Sequence, residues 1–336
     1  MGVVSLIFGI VLTFFTQGAL AKPLKVGLVL DKGGRDDKSF NAAAFKGATE
    51  AKEKYGIDLK VVTASDDAAI EPSLRTFARR GYDLVVGIGF VQGNAVEKVA
   101  KEFPKTQFLL VDSKVNLPNV RSVLFNEHEG SFLVGAVAAL TTKNNVVGFI
   151  GGMDIPLIRR FEVGYRAGVQ HINPKVEVIT NYVGSTSDAW KNPMKGKELA
   201  LSQYKKKADI LFAAAGASAL GSFDAAEELN KFIIGCDSNQ NWIKPGRVLT
   251  SMLKRVDLAV FETIKSKVDG NFEAGQFDLG LKEGAVDFAL DTYNRSILTP
   301  AVEAKVNDIK KQIIDGKIKV PDYYDTLRSG AKKKNA

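Results

Sequence analysis

Three aspartates follow directly on short apolar segments of the kind that form buried strands. Asp31, Asp112 and Asp237 each end such a segment. Carboxylates at these positions can accept hydrogen bonds from ring N–H groups and from sugar hydroxyls, and charged acceptors form the stronger hydrogen bonds. An aspartate after a strand can instead cap the following turn, so each residue alone has two interpretations. Their repetition at three strand ends favours a common ligand site.

Two aromatic residues lie in polar, turn-rich surroundings. Phe40 opens a predicted helix for which Asp37 or Ser39 is available as the N-cap, and Trp190 follows a polar segment. Such a ring is either an exposed residue at a helix start or the wall of a cleft. Two flat rings that face each other suit a planar ligand, because stacking contributes about 1–3 kcal/mol per base.

The sequence offers little for catalysis. It has one cysteine, Cys236, and two histidines, His128 and His171, so it can form neither an intrachain disulfide nor a multi-cysteine zinc site. The segment Gly87–Gly93 has its third glycine one position too late for a dinucleotide-binding motif, and neither a phosphate-binding loop nor a serine nucleophile motif is present. We therefore predict that the protein is not an enzyme and has no metal or other cofactor.

An alternation of strands and helices must position the candidate residues. One series begins with a strand at Lys25–Leu30 and a helix at Phe40–Lys54, and a second opens with strands at Val146–Ile150 and Val176–Thr180. This ordering predicts an α/β fold of two αβα lobes, with parallel doubly wound sheets covered by helices on both faces. Ligands of open α/β sheets bind beyond the carboxyl ends of the strands, which is where the three aspartates lie.

The length of 336 residues also suggests two domains. We place the boundary between the lobes near Asn126 and expect the chain to return to the first lobe after about Lys254. The predicted division is residues 22–126 plus about 255–282 for lobe 1, residues 127–254 plus about 283–325 for lobe 2, and a basic tail at 326–336.

Residues 1–21 have the features of an export signal. The apolar run Val3–Phe15 is too short to span a bilayer, which needs about 20 residues, and Ala19–Ala21 is a small-x-small cleavage site. No Lys or Arg precedes the run, which leaves a buried N-terminal helix or an uncleaved anchor as alternatives. Because no cysteine lies near the cleavage site, we expect a periplasmic protein without a lipid anchor.

The formal net charge of +8 is spread along the chain. The dense basic runs are Lys205–Lys207 and Lys332–Lys334. A basic protein can bind nucleic acid or an anionic membrane, but no nucleic-acid-binding motif accompanies these runs. We therefore expect a solvated basic surface and no nucleic-acid partner.

The segment Asp31–Asn41 carries a family resemblance. It is similar to the opening signature of the basic membrane protein (BMP) family of ABC-transporter substrate-binding proteins, which includes purine nucleoside receptors. Further ordered matches are at Leu124–Gly135, Gly148–Pro156, Gly235–Gln240 and Thr250–Asp257. The resemblance covers nearly the whole chain after residue 21.

This resemblance implies a type I periplasmic binding protein, whose two lobes are joined by a hinge and close on a nucleoside, with the base between Phe40 and Trp190. It implies that Asp112 hydrogen-bonds a purine, and that Asp237 and Lys254 bind the ribose hydroxyls, with Lys254 beside Asp237. The remaining candidate contacts are Asp31, Asn41 and Gly216, together with Phe90 at a strand end.

The expected partners are a nucleoside and an ABC permease in the inner membrane, and the protein is expected to be a monomer. Two other functions remain open from the sequence. The protein could be a receptor for another planar ligand, such as a flavin, or a sensor component that presents its ligand to a membrane receptor.

Overall fold

The first of two sheets is entirely parallel. A computed structural model describes residues 22–334, so the predicted export signal at 1–21 lies outside the described residues. The strand order is β11-β5-β4-β3-β1-β2. The six strands are β1 (Lys25–Leu30), β2 (Asp58–Thr63), β3 (Leu84–Ile88), β4 (Gln107–Val111), β5 (Val120–Phe125) and β11 (Gly275–Leu279).

The strands of this sheet are apolar on both faces because helices cover both. On β3, Leu84 and Val86 pack towards one layer, whereas Val85 packs towards the other. The first layer consists of α1 (Phe40–Tyr55) and α8 (Val256–Val268), and the second of α2 (Ile70–Arg79) and α3 (Gly93–Glu102).

The second sheet repeats this architecture with one exception. Its order is β12-β10-β9-β8-β6-β7, and β12 is antiparallel to β10 while the other strands are parallel. The strands are β6 (Val146–Met153), β7 (Glu177–Gly184), β8 (Ile210–Ala214), β9 (Phe232–Asp237), β10 (Val248–Lys254) and β12 (Val286–Phe288).

Helices also cover both faces of the second sheet. One face packs on α4 (Glu127–Thr141) and α5 (Pro156–Ile172), and the other on α6 (Pro193–Lys205) and α7 (Ala219–Glu228). Helix α9 (Pro300–Ile314) packs on α4, and α10 (Tyr323–Lys334) contacts α5. None of the helices within residues 22–334 is long and apolar enough to cross a membrane.

The predicted α/β fold with two parallel sheets is confirmed. The chain leaves the first sheet after β5, builds β6 to β10, returns to add β11, and then adds β12 to the second sheet. Strand β7 extends to Gly184, beyond the predicted end at Thr180. Strands β11 and β12 were not predicted, because they are short edge strands without a continuous apolar run.

Helices α1 and α8 approach each other closely at a glycine. A Cβ atom placed on Gly47 would lie 2.1 Å from the backbone carbonyl oxygen of Asp257. Beside this contact, Lys46 Nζ lies 3.0 Å from Asp257 Oδ2. The packing of α8 on the first lobe therefore requires glycine at position 47.

We expect Gly47→Ala to lower the free energy of unfolding by about 1–3 kcal/mol, because the methyl group would force the two helices apart. Urea denaturation monitored by circular dichroism measures this change. Ala304→Ser, on the exposed side of α9, is the control and should stay within about 0.5 kcal/mol. A Gly47→Ala variant as stable as the original chain would contradict this account of the packing.

Candidate functional site

The carboxyl ends of strands from both sheets line one cavity. Strands β1, β3 and β4 contribute from the first sheet, and β8, β9 and β10 from the second. The structure brings all nine candidate residues to this cavity, and their contact with a ligand stays a prediction. They are Asp31, Phe40, Asn41, Phe90, Asp112, Trp190, Gly216, Asp237 and Lys254.

Asp31 and Asn41 hold each other in place at the end of β1. Asp31 Oδ1 accepts hydrogen bonds from the backbone N–H of Gly33 at 2.8 Å and from Asn41 Nδ2 at 2.7 Å. Burial raises the pKa of Asp31 to about 6, although these two hydrogen bonds lower it. The neighbouring Gly89 has φ +110°, and a Cβ there would lie 3.2 Å from Asp31 Oδ2, so the loop after β3 needs glycine.

Asp37 is the true cap of helix α1. Its Oδ1 accepts the backbone N–H groups of Ser39 and Ala42, and its Oδ2 accepts that of Asn41, all at 2.8–2.9 Å. Of the two predicted caps, Ser39 occupies the N-cap position without a side-chain cap hydrogen bond, and Asp37 supplies the capping bonds that set the position of Phe40 at the helix start. Asp37 also lines the cavity, which the sequence analysis did not foresee.

Ser39 instead reaches across to the second lobe. Its Oγ donates to Asp237 Oδ2 at 2.5 Å. Two further hydrogen bonds cross beside it, from Ser238 Oγ to the carbonyl of Ser39 at 2.8 Å and from Gln240 Nε2 to the carbonyl of Lys38 at 2.9 Å. The start of α1 is thus joined to the end of β9.

A second set of contacts crosses between the lobes near Trp190. Lys32 forms an ion pair with Asp188, and Ser187 Oγ donates to Asp67 Oδ2 at 2.8 Å. Because polar contacts join the lobes at both places, the structure is that of the closed arrangement.

Lys254 is a buried cation at the end of β10. Its side chain is 2% exposed, and its Nζ lies 2.6 Å from Asp112 Oδ2 and 3.0 Å from Glu127 Oε1. Burial lowers the pKa of Lys254, but the carboxylates of Asp112 and Glu127 outweigh that effect and raise it above the ordinary lysine value. The carboxylate of Asp237 also raises the pKa of Lys254, while its Oδ2 accepts a hydrogen bond from Ser39. Three rings surround the ammonium at 5.0–5.6 Å, those of Phe40, Phe125 and Phe161.

Asp112 and Asp237 both adopt left-handed backbone conformations, with φ +67° and +65°. Residues other than glycine seldom do so, and such strain concentrates at functional sites. Burial raises the pKa of Asp112 to about 7, with Lys254 lowering it and Glu127 raising it further. Burial also raises the pKa of Asp237. None of the residues that the structure describes donates a hydrogen bond to Asp112 Oδ1.

Trp190 ends a short 3₁₀ turn after β7 and packs on the second sheet. A Cβ on Gly152 would lie 2.1 Å from Trp190 Cζ3, so the indole occupies the space left by this glycine. Gly216, with φ +55°, lies next to the same residue. Phe40 and Trp190 therefore line the cavity from opposite lobes.

Besides Asp37, seven further residues at the cavity were not among the predicted contacts: Gly33, Gly89, Ala214, Cys236 on β9, and Leu157, Ile158 and Phe161 on α5. The sequence feature that could have indicated the α5 residues is their position directly after the glycine-rich end of β6. Leu157, Ile158 and Phe161 lie in the first two turns of α5 and give the cavity an apolar wall.

A family profile described as ABC transporter substrate-binding protein PnrA-like, named Bmp, matches residues 24–323. The chain belongs to the Bmp family. As a substrate-binding protein of an ABC transporter, it binds a solute outside the cytoplasm and pairs with a membrane permease. The two-lobed architecture is that of the type I periplasmic binding proteins, as predicted.

Named relatives agree with this membership. The CD4+ T-cell-stimulating antigen of Listeria monocytogenes serovar 1/2a is 36% identical over 90% of this chain and 89% of its own. The ABC transporter nucleoside-binding protein BmpA of Lactococcus lactis subsp. cremoris is 34% identical, over 91% of each chain. The crystal structure of a solute-binding protein from Aeropyrum pernix K1 is 32% identical, with a TM-score of 0.83 over 93% of this chain and 97% of its own.

Relatives from three Pyrococcus species are named lipoproteins. These names disagree with the expectation that this Bmp protein has no lipid anchor. The segment on which that expectation rested lies outside the described residues.

We expect Asp37→Ala to lower the free energy of unfolding by about 2 kcal/mol, because three backbone N–H groups at the start of α1 lose a charged acceptor. Urea denaturation measures the loss. The adjacent Asp36 is exposed, so Asp36→Ala is a matched control that should stay within about 0.5 kcal/mol. Equal stabilities of the two variants would show that Asp37 does not cap the helix.

Proposed function

We propose that this Bmp protein captures a nucleoside, of the purine class, in the interlobe cavity and delivers it to an ABC permease in the inner membrane. The observation that carries the proposal is the composition of one cavity: two aromatic rings from opposite lobes, buried carboxylates and one ammonium. A nucleoside has a flat base for the rings and hydroxyls for the carboxylates.

The base is placed between Phe40 and Trp190. Its polar edge meets Asp112, whose Oδ1 is buried and unpaired within the described structure. An unsatisfied buried acceptor costs about 1–3 kcal/mol, so a ligand that donates a ring N–H or amino hydrogen recovers this free energy. Purine bases carry such donors on their edge.

The sugar is placed at the ends of β9 and β10. Asp237 uses Oδ2 to accept from Ser39, and the nearest side-chain donor to its Oδ1 is the Cys236 thiol at 3.7 Å. Thiols are weak donors, so this oxygen is available to a ribose hydroxyl. Lys254 has three N–H donors, of which Asp112 accepts one, and another can reach the ligand.

Closure follows from this division of the site. The proposed base contacts Asp112 and Phe40 belong to the first lobe, and Asp237 and Lys254 to the second. A ligand that bonds to both lobes binds the closed state better than the open state and shifts the population towards it. The interlobe bonds of Ser39 then add to the stability of the closed state.

The name of a relative supports the same ligand class. The Lactococcus lactis relative is named for nucleoside binding, which favours the same ligand class here. We place the protein in the periplasm as a monomer that binds and releases its ligand unchanged.

We expect Asp237→Ala to weaken adenosine binding at least tenfold, about 1.4 kcal/mol, because the proposed acceptor for a ribose hydroxyl is lost. Isothermal titration calorimetry measures the change. Asp224→Ala, at an exposed position on α7, is the control and should bind as the original chain does. Unchanged affinity in Asp237→Ala would remove Asp237 from the site.

Trp190 offers a direct test of base stacking. In the Trp242→Phe variant Trp190 is the only tryptophan, because the chain has two. We expect adenosine and inosine to change its fluorescence emission, and free ribose to leave it unaltered, since ribose has no ring to stack. In Trp190→Phe the remaining indole is half-exposed at position 242 and should not respond. A response to riboflavin but not to nucleosides would replace the proposed ligand class with a flavin.

A further inference from the structure

Two buried charged residues behind the cavity have no part in the ligand contacts described above. Glu127 begins α4 and is fully buried, and Arg160 lies on α5 with 6% of its surface exposed. Arg160 Nη1 lies 2.7 Å from Glu127 Oε2 and 2.6 Å from the carbonyl oxygen of Phe125. Burying an ion pair costs desolvation free energy, so packing alone does not account for this pair.

The pair continues into the cavity. Glu127 uses its other oxygen, Oε1, to approach Lys254 Nζ at 3.0 Å, and the same ammonium contacts Asp112 Oδ2 at 2.6 Å. One cation is therefore shared by two carboxylates. Glu127 thereby reduces the share of that cation that is available to neutralise Asp112.

The pair also continues away from the cavity. Arg160 donates two hydrogen bonds to Asp322, from Nε to Oδ1 at 2.9 Å and from Nη2 to Oδ2 at 3.0 Å. The guanidinium also lies 5.0 Å from the ring centre of Tyr324. Charges of alternating sign thus run without a break from Asp112 through Lys254, Glu127 and Arg160 to Asp322.

We propose that Glu127 and Arg160 are positioning residues that control the charge on Asp112, and that Asp322 connects this control to the C-terminal segment. The negative charge of Glu127 competes with Asp112 for the positive charge of Lys254, and the positive charge of Arg160 partly neutralises Glu127. The consequence for the ligand rests on the proposed function, because only an ionised Asp112 accepts a hydrogen bond at both oxygens.

The groups that act on Asp112 come from five elements. His128 is adjacent to Arg160, but burial and the Arg160 charge lower its pKa to about 4, so it is neutral and contributes no charge above that pH. The titratable and charged groups that face Asp112 are Glu127 on α4, Asp237 on β9, Lys254 on β10 and Tyr324 on α10, and Arg160 on α5 acts through Glu127.

Two substitutions should move the protonation of Asp112 in opposite directions. Glu127→Gln removes a like charge and leaves Lys254 to Asp112 alone, so Asp112 should become protonated at a pH about one unit lower. Arg160→Met removes the cation that offsets Glu127, so Asp112 should become protonated at a pH about one unit higher. A residue that only supports packing would produce no such opposition.

Carboxyl ¹³C NMR titration of the ligand-free full chain measures these midpoints, with Asp112→Asn assigning the resonance. Adenosine affinity measured by calorimetry between pH 5 and 8 gives the second readout. Because the ligand donates to an ionised Asp112, affinity should fall as pH drops through each midpoint, earlier in Arg160→Met and later in Glu127→Gln.

Matched controls separate charge from structure. Glu129→Gln changes a neighbouring carboxylate of α4 that bonds to the backbone of Leu281, and it should leave both midpoints in place. Arg160→Lys keeps the cation and should restore the midpoint, including where Arg160→Met fails to fold. Asp322→Asn leaves more of the Arg160 charge to offset Glu127 and should move the midpoint downwards, whereas Asp325→Asn, which loses only an exposed pair with Arg328, should not.

The outcomes are distinct. Midpoints that move together, or not at all, in well-folded Glu127→Gln and Arg160→Met would overturn the inference even if adenosine binds. If adenosine fails to bind the original chain at any pH, the proposed function fails, and the NMR midpoints alone decide whether Glu127 and Arg160 control Asp112.

Discussion

The closed structure depends on a single ammonium that has been removed from water. Lys254 is carried by the second sheet, yet Asp112, which neutralises it, ends a strand of the first sheet, and Glu127 begins the helix that follows the crossover. An unpaired buried charge costs several kcal/mol, and Lys254 has one carboxylate, Glu127, in its own lobe and a second, Asp112, in the other lobe. Closure of the lobes therefore brings the second carboxylate to this charge.

This constraint explains several costly local features. Asp112 and Asp237 accept left-handed backbone conformations that aim their carboxylates into the cavity, and Gly89 leaves room for Asp31 and Phe40. Asp37 caps α1 with three hydrogen bonds, which frees Ser39 to bond across the cleft. The stability lost at the strained aspartates is offset by two apolar sheets buried on both faces.

The chemistry of the cavity follows from the same balance. Carboxylates outnumber the one cation that lines the cavity, and burial raises the pKa of Asp31, Asp112 and Asp237. Such a wall suits a ligand that brings hydrogen-bond donors and no negative charge. The proposed nucleoside meets this condition, and its flat base accounts for Phe40 and Trp190 on opposite sides.

The amino-acid sequence by itself determined the two parallel sheets and the strand-end aspartates of the cavity, because the residues that follow apolar strand runs share one edge of a parallel sheet. Asp31, Asp112 and Asp237 could be found in this way. Only the tertiary structure decided which charges pair: Lys254 meets Asp112 and Glu127, and Asp237 meets Ser39. These partners are separated by 127 to 198 residues and belong to different elements. A local sequence pattern predicts the periodicity of a helix or strand, but it does not predict which side chains meet when the two lobes close. For the same reason, edge strands β11 and β12, whose pairing depends on a chain that returns twice, could not be predicted from pattern.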